Sequence, residues 1–192
     1  VDDETFWDLI ENCRRRTPDP DERVAWLCGQ LAGGAAESEI VGFQISLDRV
    51  LTPTCTWDLW AAADRIMGWC SDDVFFYFRL WLVGLGRDVF ERVARDPDVL
   101  AEVPEVTRLA GRDREDWDEE EWLAWEELDY AAGQAFTQVT GKSEEDFYGA
   151  VEAQGGVDPE LLDPAGERWD ANDDEQAGRR LPRLSVLFFG DR

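Results

Sequence analysis

The chain has 192 residues, 44 acids against 19 bases, a net charge of −25 and a pI near 4.1. That balance excludes phosphate-backbone and anionic-lipid binding, which need clustered Lys and Arg, and no apolar run approaches a membrane span. With no histidine, Ser-His-Asp and Cys-His catalysis and every His-containing metal site are closed.

Hydrophobic residues at 44% and ten tryptophans predict a folded chain despite the charge. The ten N-terminal residues show no basic n-region and no apolar h-region, so no secretory leader is expected and the localisation reads as cytoplasmic. Cys13, Cys28, Cys55 and Cys70 include no C-x-x-C pair, so four reduced thiols are expected, with Cys13 and Cys28 buried and slow to react.

The apolar period is helical almost throughout. Phe6, Leu9, Ile10 and Cys13 recur at helical spacing, with Asp2 and Asp3 as caps. Asp19-Pro20-Asp21-Glu22 opens a second helix, with a capping acid, a first-turn proline and acids that suit the dipole; Gly33-Gly34 ends it. Ser38 is a candidate cap for a third helix carrying Ile40, Phe43, Leu47 and Leu51, closed by Pro53. Thr56 caps a fourth, broken at Gly68. Ser71 caps a fifth, from 72 to about 83, apolar on several sides and therefore central.

Between Asp113 and Asp129 ten acids and one base interleave with Trp117, Trp122 and Trp125. We read this stretch as an acidic-aromatic helix that runs into a longer one ending at Gly141. Its tryptophans face the core or present hot spots to a basic partner. Ser143 caps another helix. Residues 155–180 are loop-rich, and residues 181–189 are too apolar to hang in water and should dock as a short strand or extended clamp. The predicted fold is all-α: a single compact multi-helix domain over 1–192, with an irregular C-terminal tail docked on the body. Its helices pack around Trp60, Phe75, Phe78, Trp81, Phe136 and Val139.

The densest chemistry lies in Thr56-Trp57-Asp58-Leu59-Trp60, Cys70-Ser71-Asp72-Asp73 and Phe75-Phe76-Tyr77-Phe78-Arg79-Leu80-Trp81-Leu82. Binding candidates are Trp57, Asp58, Trp60, Ser71, Asp72, Tyr77 and Arg79; catalytic candidates are Asp58, Asp72, Asp73 and Arg79. Carboxylates near a cleft can do general acid/base work or hold a hard cation weakly, and an arginine can clasp an anion. The competing reading is structural: Ser71-Asp72-Asp73 is also what any helix N-terminus prefers. No metal or cofactor is assigned, for want of a motif.

This run, TWDLW…CSDDVFFYFRLWL…GR, resembles a bacterial, mostly actinobacterial, domain-of-unknown-function family numbered 4240. The resemblance starts at Phe6-Trp7 and Ile10, is strongest from Trp57 to Arg87, and continues through Asp96-Pro97-Asp98, Glu127, Tyr130, Ala131, Thr140 and Gly141. It returns weakly at Gly166-Glu167, Asp170 and Leu181-Pro182-Arg183-Leu184. Trp69 and Val74 stand where relatives tend to carry glycines. The resemblance implies a helical cytoplasmic protein and carries no established activity. Three functions stay open. The first is a binding protein for a protein or small ligand, using an aromatic and acidic pocket. The second is a histidine-free enzyme with an aspartate base and an arginine anion clamp. The third is an acidic immunity- or inhibitor-type protein for a basic partner.

Overall fold

The computed structural model describes residues 2–34 and 36–189, the side chain of Phe189 excepted. The described residues form helices and no strand. Their α-helices are α1 (Asp3–Arg16), α2 (Pro20–Ala32), α3 (Glu37–Leu51), α4 (Trp57–Met67), α5 (Asp72–Gly84), α6 (Arg87–Arg95), α7 (Pro104–Thr107), α8 (Glu127–Thr140), α9 (Glu144–Ala153), α10 (Asp174–Arg180) and α11 (Pro182–Phe189). No helix among them is long and apolar enough to cross a membrane.

Five helix starts follow the caps expected from sequence. The carboxylates of Asp2 and Asp19 and the hydroxyls of Thr56, Ser71 and Ser143 each accept a first-turn N–H. α3 departs from this: it begins at Glu37 rather than after Ser38, and Glu39 reaches back to the Ala36 N–H at 2.7 Å. α4 ends at Gly68, whose φ of +80° is the left-handed conformation glycine favours. A Cβ there would lie 2.8 Å from the Arg114 guanidinium. That guanidinium donates to the carbonyls of Arg65 and Ile66 at 3.0 Å each, so it closes the helix end.

α5 is buried on nearly every side, through Phe75, Phe76, Phe78, Leu80, Leu82 and Val83. α2, α3 and α9 pack against α8, and α1 lies across α2 and α3. Phe75, Phe78 and Phe136 are in the core as expected. Val139 is exposed, and Trp60 and Trp81 are only partly buried. Gly84 lets the Trp125 ring approach to where its Cβ would be, 2.8 Å away.

Two expectations are corrected. The stretch from 113 is not a helix: single 3₁₀ turns at Arg114–Asp116 and Glu119–Glu121 separate extended residues, and α8 begins only at Glu127. Leu123 and Trp125 are buried two positions apart, the period of extended chain. Trp117 is buried as well, while Trp122 is exposed. The C-terminal tail is also helical rather than a strand or clamp, and part of the loop-rich 155–180 stretch forms α10. Pro182 opens α11. The next two N–H groups, of Arg183 and Leu184, donate at 2.9–3.1 Å to the buried carboxylate of Asp98, 85 and 86 residues away in sequence. The helix cap is therefore supplied by another element, and local sequence could not reveal it.

All four cysteines are free thiols. Cys13, Cys55 and Cys70 are buried; Cys28 is only half-buried, against expectation. Burial pushes the Cys13 thiol up to about 11 and Cys70 up to about 12. Alkylation at pH 8, followed by mass spectrometry, should modify Cys28 first and Cys70 roughly tenfold or more slowly, because only the thiolate reacts. Cys70 labelling first would contradict this burial.

Candidate functional site

The start of α4 is tied to a distant segment by one backbone pairing. Trp57 N–H donates to the Ala165 carbonyl at 3.0 Å, and Ala165 N–H donates to the Cys55 carbonyl at 2.8 Å. This pairing sets the segment carrying Arg168 and Trp169 beside the start of α4. One helical turn apart, Trp57 and Trp60 stack with centroids at 5.3 Å, and Trp60 stacks on Phe75 of α5 at 4.7 Å. The Trp60 indole N–H donates to the Cys70 carbonyl at 3.0 Å and fixes the ring.

These rings wall a cavity of about 730 Å³. Trp57, Trp60, Trp69 and Trp169 supply its aromatic surface; Asp64, Asp72 and Asp170 supply carboxylates. Trp69 is 67% exposed at its edge and adds an open ring to the cavity. The Arg168 guanidinium lies over the Trp57 ring at 4.7 Å. Burial pushes the Asp64 carboxyl up.

Of the residues singled out from sequence, Trp57, Trp60 and Asp72 meet in this cavity. Asp58 is adjacent but engaged: its Oδ1 accepts from the Trp169 indole at 2.8 Å and from Arg180 Nη1 at 3.2 Å. Ser71 caps α5, its hydroxyl accepting from Val74 N–H at 3.3 Å. Asp73 is exposed in the first turn of α5. Tyr77 lies toward α8, near Glu126, which accepts from the Tyr130 hydroxyl at 2.8 Å. Arg79 is 2% exposed and sandwiched by Phe75 and Phe76, and it donates through Nη2 to the Pro159 carbonyl at 2.9 Å. Asp58, Asp72, Asp73 and Arg79 therefore do not converge, and no group of three His, Cys, Asp or Glu among the described residues could hold a metal ion.

A second cavity, of about 530 Å³, escaped sequence reading. It lies among α3, α8, α9 and the 156–161 loop. Gln44 and Asp48 on α3 are 3% and 5% exposed, and Gln44 Nε2 donates to Asp48 Oδ1 at 2.9 Å. Asp129 on α8 lines the same cavity. Burial, helped by the charges of Asp129 and Asp158, pushes Asp48 up to about 7. Burial, with Glu160, Asp158 and Glu126, pushes Asp129 up to about 6. One sequence signal could have found it. Gln44 and Asp48 sit one turn apart on the face that also carries Ile40, Leu47 and Leu51, so two polar side chains occupy an otherwise apolar stripe.

The model of a family described as "Protein of unknown function (DUF4240)" matches residues 1–138. No curated protein and no solved structure matches the chain.

Proposed function

The chain belongs to that family, whose description carries no activity, and from its own geometry we propose that it is a binding protein that captures a basic protein partner in the tryptophan cavity. One observation carries this reading: Trp69 stands 67% exposed at the edge of a cavity whose other walls are Trp57, Trp60 and Trp169 and whose polar lining is mainly acidic. An arginine or lysine side chain entering there meets aromatic faces and the carboxylates of Asp64, Asp72 and Asp170. The internal Arg168 on Trp57 is a local precedent for the contact, and the −25 charge steers a basic partner inward. Trp57, Trp60 and Asp72 are the contacts in this reading. The acidic inhibitor or immunity-type function is one form of it.

The histidine-free enzyme reading is favoured by a different observation. Asp58 is held by Trp169 and Arg180, so the acid pair poised near neutrality is Asp48 and Asp129.

Tryptophan-fluorescence titration with hexa-arginine tests the binding reading, with hexaglutamate as control. We expect saturable quenching by the basic peptide alone. W69A should weaken binding roughly fivefold or more, as loss of an aromatic hot spot does. R168A, which vacates the Trp57 face, should tighten it. Equal affinity for W69A and the parent chain would remove the tryptophan cavity as the binding surface.

A further inference from the structure

The wall of the tryptophan cavity that carries Arg168 is fixed on both sides of that residue. Ala165 is pinned to the start of α4 by the backbone pairing, and the Trp169 indole is held by Asp58. The arginines that brace this wall are committed. Arg65 donates to the Ala171 carbonyl and pairs with Asp174, and Arg180 pairs with Asp58 and Glu167. Arg168 differs from them. It is exposed, lines the cavity and lies over the Trp57 ring at 4.7 Å, with no hydrogen bond or ion pair to any other described residue. Stacking engages one face of the guanidinium and leaves its in-plane N–H donors unused.

Two opposite chemistries therefore share one cavity. Asp64, Asp72 and Asp170 suit a cation, whereas an unused guanidinium fork suits a carboxylate, which it binds through two parallel hydrogen bonds. A polybasic segment satisfies the acids but sets its further charges against Arg168. A segment that carries one arginine and a nearby acid satisfies both. On the reading that the tryptophan cavity is the binding surface, we propose that it selects a charge-mixed segment of its protein partner. An arginine of the partner enters among the tryptophans and acids, and a glutamate or aspartate a few residues away pairs with Arg168. Arg168 is then a specificity-determining residue, attractive to that acid and repulsive to a run of bases.

The field of the whole chain runs the other way. With a net charge of −25 it favours whichever peptide carries more positive charge. A preference for a peptide of zero net charge over one with a single positive charge therefore needs a cation inside the site. Among the residues lining the cavity, Arg168 supplies it. Physiological salt sharpens the contrast, because it screens distant surface charges over about 8 Å and acts less on groups in contact.

Tryptophan-fluorescence titration of the intact chain at physiological salt tests this. The probes are end-blocked, glycine-flanked peptides with one arginine and one glutamate, placed one, two or three positions away on either side. Each has a counterpart with glutamine in place of glutamate, and hexa-arginine is the polybasic probe. We expect at least one glutamate peptide to bind roughly threefold or more tightly than its glutamine counterpart. R168A should erase that difference and weaken the glutamate peptide, yet tighten hexa-arginine; R168E should tighten hexa-arginine further. Both variants should keep the parent's circular dichroism, since Arg168 is exposed. A merely structural role for Arg168 would move both kinds of probe in the same direction. If hexa-arginine binds but no glutamate peptide exceeds its counterpart, or if R168A keeps the preference, the proposal falls and the basic-partner reading stands. If neither hexa-arginine nor any arginine peptide quenches the parent or R168A, both fall.

Discussion

Replacing Asp98 by alanine is expected to lower stability by about 3 kcal/mol, because three donors, through four contacts, lose one buried carboxylate. Two are the N–H groups of Arg183 and Leu184 at the start of α11; a third is Arg183 Nε at 2.9 Å. The fourth contact is the second approach of Arg183 N–H, at 3.0 Å to Oδ2. Arg183 also reaches Asp96 at 2.9 Å and pairs with Glu102, so the loss spreads into a network that ties the C-terminal helix to Pro97–Glu102. For a chain of this size the melting temperature should drop by roughly 6–12 °C. D98N keeps an acceptor for the backbone and should cost about half as much. Hydrogen exchange should show α11 losing protection first, with α2 and α8 retaining it. An unchanged melting temperature in D98A would mean that α11 docks through Leu184 and its apolar neighbours alone.

Melting temperature is expected to rise on mild acidification, and Asp48 is expected to account for most of the rise. Its carboxyl is pushed up to about 7, so above that pH it is ionised in both folded and unfolded chains and its burial is a full penalty. As pH falls, the folded chain takes up the proton near 7, whereas the unfolded chain waits until about 3.9. Stability therefore increases through this window. Asp129, pushed up to about 6, adds a smaller gain in the same direction. Between pH 8 and 5.5 the two should yield about 2–3 kcal/mol, or roughly 5–10 °C.

The gain ends lower down. Hydrogen bonding holds Asp2, Asp146 and Asp173 below the usual range at their helix starts, and the Arg112 partner holds Glu121 at about 2. Their stabilising contributions are lost as pH falls through those depressed values, so the optimum should lie near pH 5. D48N should be more stable than the parent at pH 8 and show a much flatter pH profile. A parent-like slope in D48N would transfer the effect to the acidic surface as a whole. Added NaCl separates the two causes: it screens surface repulsion among the 25 excess charges but acts weakly on a buried carboxylate.

Much of the fold was legible from local chemistry. Asp2, Asp19, Thr56, Ser71 and Ser143 cap helices because a side-chain oxygen next to a helical apolar period satisfies N–H groups only a few residues away. The all-α class and the burial of α5 followed from period and composition. The acidic tryptophan stretch misled because acids and tryptophans at irregular spacing fit a helix nearly as well as the extended chain that buries Leu123 and Trp125.

The site divides along the same line. Trp57, Trp60 and Asp72 share one cavity because two neighbouring helix starts place them together. Arg79 and Tyr77 were expected beside them, yet Tyr77, five positions after Asp72, points to another side of α5, and Arg79, seven positions after it, shares its face but lies two turns further along, where it is buried. The Asp48–Gln44–Asp129 cluster spans 85 residues from Gln44 to Asp129 and exists only because α3 packs on α8. The amino-acid sequence alone determined charge, helical class, capping and the absence of imidazole chemistry, since these depend on composition and near neighbours. Tertiary structure decided which acids are buried, which tryptophans stay open and what caps α11, since those depend on elements far apart in the chain that only packing brings into contact.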